Sequence, residues 1–173
     1  MIENDSISAL DIELSVANHF NPRVNIIVPN ISWGMNTHEC DLLVLTKAGY
    51  ATEIEIKISK ADLIADKKKK HQHKSSKISR LYFAIPHYLL KICEEHIPED
   101  AGIITVMNNG RMNIIREAVK RNDYKFNSDE KLNLVRLGAM RIWPLKRILR
   151  DAYNKKYKKK HIALKKQHMC LDL

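Results

Sequence analysis

Long apolar runs are missing from this chain: no stretch approaches the roughly 20 residues that a helix needs to cross a bilayer, which excludes a helical membrane protein. The opening residues, MIENDSISALDIEL, carry acids where a secretory signal carries bases, so the protein is not expected to be exported. Cysteine is sparse. Cys40, Cys93 and Cys170 are scattered and odd in number, which points to reduced thiols in a cytoplasm rather than a disulfide framework. No G-x-S-x-G turn presents a serine nucleophile, and no GxxxxGK[ST] loop cradles a phosphate. His71-Gln72-His73 invites a zinc reading, but no Cys or His pair stands at the spacing of a structural zinc site.

What is present reads as one globular domain with an unusual end. Apolar residues make up 45% of the 173 positions and charged ones 29%, a composition that buries a core without staples. The net charge of +10 is concentrated rather than spread. Residues 1–140 hold 19 Lys and Arg against 18 Asp and Glu, whereas residues 141–173 hold 11 against 2. The expected division is therefore a folded domain over 1–140 and a basic helical extension over 141–173. Such a block suits a polyanion, either nucleic acid or an anionic membrane surface. The tail YNKKYKKKHIALKKQH has few large apolar anchors, which disfavours the membrane.

Periodicity gives the elements. Ile7, Leu10, Leu14 and Ala17 stand at helical spacing over residues 6–19, with Asp5 or Ser6 as cap and Pro22 as terminator. VNIIV (24–28) has the β-branched content of a strand. ECDLLVLT and YATEIEIKIS flank a short Gly-containing loop and read as a hairpin. Ser59 and Asp62 fit the start of a helix through KADLIADKKKKHQHK. RLYFAI is a strand, Pro86 opens the helix HYLLKICEEH, and GIITVM and RMNIIR flank the turn Asn108-Asn109-Gly110. The remainder is helical in pattern, with Leu145, Ile148, Leu149, Ala152 and Tyr153 as an apolar stripe. The order α-β-β-β-α-β-α-β-β-α predicts an α/β sandwich whose mixed central β-sheet is flanked by helices.

The chemistry concentrates in the first hairpin. Glu53-Ile54-Glu55-Ile56-Lys57-Ile58 alternates strictly, so Glu53, Glu55 and Lys57 share one strand face. If Lys47-Ala48-Gly49 is a three-residue loop with Gly49 in the left-handed position, opposed residue numbers sum to 96. Asp41 then faces Glu55, and Glu39 faces Lys57. Directly opposed Cβ atoms lie about 4.5–5.5 Å apart, and like charges there are destabilising. A hard divalent cation such as Mg²⁺, which prefers oxygen ligands, relieves that repulsion. An adjacent lysine suits the orientation of a water or the stabilisation of charge on a phosphate.

Asp41 followed by Glu55-Ile56-Lys57 across a hairpin resembles the D…(D/E)-x-K core of the PD-(D/E)XK, restriction-endonuclease-like superfamily. The likeness extends over residues 30 to 107. There the E-x-K strand leads into Ser59-Lys60-Ala61-Asp62-Leu63-Ile64-Ala65-Asp66 and then a strand ending Tyr82-Phe83-Ala84-Ile85-Pro86. This run resembles the MmcB-like group of bacterial and phage DNA-repair proteins. Cys40 stands where the motif has its proline.

The resemblance implies a restriction-endonuclease-like fold in a cytoplasmic protein. It also implies a metal-dependent nuclease using Mg²⁺ or Mn²⁺ to hydrolyse phosphodiesters in DNA, with RNA fitting as well. Asp41, Glu55 and the Ile56 carbonyl would be metal ligands and Lys57 the catalytic lysine. Glu13 would be a further carboxylate from the first helix, with Asp11 and Glu39 as alternatives. Nucleases of this type often pair to cut both strands, so a homodimer fits.

On the helix after the site, Asp62, Asp66, Lys69 and His73 recur at spacings of four, three and four, which places them on one stripe. Lys60, Lys69 and His73 are thus candidates to line a nucleic-acid groove, with the tail residues Lys155, Lys156, Lys158, Lys159 and Lys160. Asp62 reads as a cap. Trp33, Tyr82 and Phe83 are candidates to stack on bases, Trp33 in the loop SWGMN being the better one, with anchoring of that loop as its alternative role. The alternative function, from another class, is a non-catalytic DNA-binding protein that retains the fold.

Overall fold

The computed structural model describes residues 7–31, 33–66 and 73–169, with side chains described through Lys158. The chain forms two compact units, Met1–Leu137 and Gly138–Leu173.

In the first unit a six-stranded sheet runs β1-β2-β3-β4-β5-β6 in both sequence and space. Its strands are β1 (Ile26–Ile31), β2 (Cys40–Leu45), β3 (Ala51–Ile56), β4 (Ile78–Pro86), β5 (Gly102–Val106) and β6 (Met112–Arg116). Helix α1 (Ala9–His19) precedes them, α2 (Lys60–Asp66) links β3 to β4, and a short α3 (Leu90–Cys93) between 3₁₀ turns links β4 to β5. Long connections are what a parallel pair requires, and β3–β4 and β4–β5 are the parallel pairs, the other neighbours being antiparallel. The element order and the mixed sheet are those read from the sequence, and the architecture is that of a restriction-endonuclease-like sandwich.

The register of the first hairpin fixes the site. Leu42 faces Ile54, Leu43 faces Glu53 and Leu45 faces Ala51. The loop closes through Gly49, whose φ of +94° is the left-handed conformation the turn needs. Its amide donates to Thr46 O at 2.9 Å, and Thr46 N donates to Tyr50 O at 3.0 Å. Continued one pair further, this ladder sets Asp41 opposite Glu55.

Alternation then sorts the faces. Leu42, Val44, Ile54, Ile56, Tyr82 and Ala84 pack beneath α1 against Ile12 and Val16. On the opposite face, Leu43, Leu45 and Ala51 join Phe126, Leu134 and Leu137 in one apolar cluster, while Leu81, Phe83 and Ile85 join Leu63, Cys93 and Ile97 in another. Glu53, Glu55 and Lys57 occupy the strand between these two clusters.

Four expectations are corrected here. The buried stripe of α1 is Ile12 and Val16, while Leu10 and Leu14 are 61% and 54% exposed. Ser8, not Asp5 or Ser6, caps the helix through a reciprocal bond with Asp11, which rotates the sheet-facing side. β1 extends to Ile31 through Pro29, tolerated because β1 is an edge strand. His73 has a φ of 52°, so an unbroken helix does not run from Ser59 through it.

In the second unit, α4 (Ser128–Met169) continues past Gly138 with Pro144 inside it. The expected stripe of Leu145, Ile148, Leu149, Ala152 and Tyr153 is exposed at every position.

Gly102 shows how tightly the first unit is packed. A Cβ there would overlap the Tyr82 ring, which lies across the strand pair, and approach Ala118 N at 2.8 Å. The Gly102→Ala protein is expected to lose about 3 kcal/mol, because neither ring nor backbone has room to yield. A urea midpoint equal to wild type would refute the packing described.

Candidate active site

Asp41 leads β2, and Glu53, Glu55 and Lys57 project from one face of β3. Asp66 ends α2, and His38 and His73 come from the segments before β2 and after α2. The sequence placed Glu53, Glu55 and Lys57 on a common face. It did not anticipate that this face is interior: Glu53 and Glu55 are fully buried and Lys57 is 4% exposed. Asp41 stands at the rim with its side chain 41% exposed.

Buried carboxylates need compensating donors, and each finds them. Lys57 Nζ donates to Glu55 Oε2 at 2.7 Å and lies 3.0 Å from Asp66 Oδ1 and 3.8 Å from Asp41 Oδ2. The Ile56 amide donates to Asp41 Oδ2 at 2.8 Å, tying the rim carboxylate to the E-x-K strand. His38 Nε2 donates to Glu53 Oε2 at 2.7 Å, and His73 Nδ1 to Glu53 Oε1 at 2.6 Å. The other nitrogen of His73 donates to Asp66 Oδ2 at 2.5 Å.

The charges follow from these contacts. Burial works against the ammonium of Lys57, but the Glu55 charge and its hydrogen bond outweigh burial and push the pKa up. Burial likewise opposes a charged Glu53, and the His38 and His73 hydrogen bonds overcome it and hold the carboxyl low. His73 is raised to about 9: burial disfavours its cation, and the Asp66 and Glu53 carboxylates more than compensate. Glu13 of α1 is pushed up by burial and then by the Asp41 charge, which places it within electrostatic reach of the rim. Burial, followed by the Glu53, Glu55 and Asp41 charges, raises the Cys40 thiol, so that residue stays neutral beside the cluster.

The expected residues are thus partly assembled and partly redistributed. Asp41, Glu55, Lys57 and the Ile56 backbone come together, and Glu13 is their α1 neighbour. Asp11 is engaged in the exposed cap of α1, and Glu39 is exposed. Lys60 is exposed at the start of α2, as are Lys155, Lys156 and Lys158 on α4. Lys69, and the side chains of Lys159 and Lys160, lie outside the described residues. His73 does not sit on a surface stripe as a phosphate contact, because its ring is buried between Glu53 and Asp66. Asp66 leaves that stripe for the same reason. Tyr82 and Phe83 are core, and Trp33 is 55% exposed.

Glu53, Asp66 and His38 belong to the cluster, although the sequence reading gave none of them a role in it. Alternation along β3 flagged Glu53. The Asp closing S-x-A-D-L-x-x-D, one turn beyond the capping Asp62, flagged Asp66. For His38 there was no local signal.

The His73 shift gives a pH prediction. A pKa raised above the ordinary 6.5 means that the fold favours the protonated ring. Its contribution is complete below about 6.5 and disappears as pH rises through about 9. The metal-free protein should lose about 2 kcal/mol of stability between these limits, read as a falling urea midpoint, and the decline should flatten in His73→Gln. A level curve in wild type would show that His73 is not held as a cation.

Comparison with known proteins agrees with the fold and supplies a family. The chain is similar over 87% of its length, and over 94% of the other chain, to the SPO1766 protein of unknown function from Silicibacter pomeroyi. The TM-score is 0.59 at 20% identity, a likeness of fold. No curated protein matches the chain. The sequence profile of the family described as DNA repair protein MmcB-like matches residues 4–143, a span that contains every strand and the whole polar cluster. The chain therefore belongs to the MmcB-like family of DNA repair proteins.

Proposed function

We propose that the protein is a metal-dependent nuclease that hydrolyses phosphodiester bonds in DNA, with Asp41, Glu55 and Lys57 at its centre. The observation that carries this reading is the convergence on Lys57 Nζ of Glu55 Oε2 at 2.7 Å and Asp41 Oδ2 at 3.8 Å. It is reached from one hairpin register and stands beside the half-exposed Asp41.

The donors fit a hard divalent cation. Asp41 is accessible, and its charge and that of Glu13 oppose one another across the rim, which is where a dication relieves repulsion. Asp41 and Glu55 would hold the ion, with the Ile56 backbone beside them and Glu13 as an outer carboxylate. When bound, Mg²⁺ or Mn²⁺ supplies Lewis acidity toward the phosphate and lowers the pKa of water. The protein's own part is positional. Lys57 is fixed by Glu55 and Asp66, so its ammonium needs no reorganisation to meet negative charge developing on a phosphate oxygen. The exposed lysines of α4 suit the DNA backbone, to which positive side chains bind without sequence preference.

The test is Mg²⁺- or Mn²⁺-dependent digestion of a panel of labelled intact, nicked, branched and single-stranded DNAs. Asp41→Asn and Lys57→Ala should each reduce cleavage by about 100-fold or more. Asp41→Asn should leave the fold intact, since it changes little volume at a half-exposed position. Full activity in Asp41→Asn would sink the assignment, and DNA binding without cleavage by wild type would favour the non-catalytic alternative.

Removing the chain after Asn154 should weaken DNA binding for all sequences and flatten its salt dependence, because counterion release scales with the phosphates neutralised. Unchanged affinity and slope, measured by fluorescence anisotropy across a salt series, would make this segment a passive extension.

A further inference from the structure

Glu53 differs from its neighbours on β3 in being held by histidines. His38 Nε2 lies 2.7 Å from one carboxylate oxygen and His73 Nδ1 lies 2.6 Å from the other. The donor atoms of all three residues lie within 4.8 Å of one another. They come from three separate segments, and two of the three are anchored independently of one another. Glu53 is on the central strand, paired with Leu43 and Leu81. His73 has a left-handed φ of 52°, a costly conformation for a residue with a Cβ. Arg121 Nη1 donates to the His73 carbonyl at 2.9 Å and is itself anchored on Asp100 at 2.8 Å.

We propose that His38, Glu53 and His73 form a binding site for a first-row transition-metal dication of the zinc class, separate from the Asp41–Glu55 end of the cluster. Two imidazoles and one carboxylate are a donor set that suits zinc and leaves a fourth position open. The geometry is close to what such an ion needs. Donors bonded at about 2.0–2.1 Å around a tetrahedral centre stand about 3.3 Å apart, so each histidine–Glu53 pair must open by less than about 1 Å, and no pair of donors starts more than 4.8 Å apart. His73 already has the arrangement that orients a metal-ligating imidazole: Nε2–H donates to Asp66 Oδ2 at 2.5 Å, leaving Nδ1 to take the metal. As the metal enters, the Nδ1 proton of His73 leaves to solvent, and the Nε2 proton of His38 leaves that nitrogen for solvent or for its own Nδ1, so that each liganding nitrogen presents a lone pair.

A neighbouring set, Glu55, Asp66 and His73, also has donor atoms within 4.8 Å. Lys57 engages both of those carboxylates, at 2.7 and 3.0 Å, so the histidine-rich set is the better site. Mg²⁺ is poorly suited to it, because it keeps several waters and prefers oxygen, whereas this trio is buried against the Phe83 ring, 5.7 Å from that of His73. The bound ion would clamp the segment before β2 to the segment after α2, across the strand that carries Glu55 and Lys57.

The experiment uses the full chain stripped by chelator and titrated with Co²⁺, whose visible spectrum reports tetrahedral coordination. One equivalent should produce tetrahedral bands that one equivalent of Zn²⁺ abolishes and millimolar Mg²⁺ does not. Zn²⁺ should raise the thermal midpoint by several degrees through mass action. His38→Ala and Glu53→Gln should lose the bands, and Asp66→Asn should weaken Co²⁺ binding by about 10–100-fold. Asp41→Asn, which tests the nuclease reading, should keep the bands, so failure of one reading is distinguishable from failure of the other. The proposal is overturned if wild type gives no tetrahedral spectrum, if Mg²⁺ displaces the Co²⁺, or if folded His38→Ala retains the bands. Should a variant fail to fold, the wild-type spectrum and the Mg²⁺ competition decide alone.

Discussion

Burial of charge on the central strand governs this structure. Glu53 and Glu55 have no solvent exposure and Lys57 has 4%, in a setting where an uncompensated charge is far more costly than a single lost apolar contact. The surrounding elements are arranged around that constraint. Asp66 of α2 reaches Lys57, and the chain adopts a left-handed conformation at His73, whose ring lies between Glu53 and Asp66. The segment before β2 supplies His38 to the second oxygen of Glu53. Two apolar clusters flank this row on the same face of the sheet, so water competes little with the hydrogen bonds inside it.

This constraint separates what was legible in the sequence from what was not. The hairpin register was legible because a three-residue loop closed by Gly49 leaves one pairing, and that pairing puts Asp41 beside Glu55. Strand identity followed from β-branched content and alternation, which are local properties. The interior character of the polar face was not legible: an alternating E-I-E-I-K-I strand reads as half solvated, and only the packing of α2 and the His73 segment over it shows otherwise. His73 was misplaced for a related reason. A helical stripe was extended through KKKKHQHK without a breaker, since nothing in the residues announces the left-handed turn that tertiary contacts impose at His73. The α1 stripe was displaced because Ile12 and Val16 fit helical spacing as well as Leu10 and Leu14, and the Ser8 cap decides between them.

Membership in the MmcB-like family carries the DNA-repair context, and the geometry accounts for how such a chain could address DNA phosphates. The rim of the cluster is acidic and half exposed at Asp41, while the interior carboxylates are hydrogen-bonded by Lys57, His38 and His73. Under the proposed function, a cation and a phosphate would meet the protein at the half-exposed end, where Glu13 and Asp41 repel. Mutations at the inner end should act first on stability and on the positions of Lys57 and Glu55. Mutations at Asp41 should act first on chemistry.

The state of Lys57 narrows the proposed chemistry further. Burial by itself would favour a neutral amine, which could accept a proton from water. The Glu55 charge, its hydrogen bond and those from Asp66 reverse that preference and push the pKa above the ordinary lysine value. At any pH near neutrality the side chain is therefore an ammonium with its protons directed at two carboxylates. An ammonium so held is a poor general base and a good fixed positive charge. Within a nuclease mechanism its contribution is then electrostatic, offered to a phosphate oxygen, and the proton of the attacking water must be taken by another group. Asp41 and Glu13 are the carboxylates at the accessible rim. Asp41 is proposed to hold the cation, so Glu13 is the rim carboxylate left to take that proton; burial, followed by the Asp41 charge, raises its affinity for one.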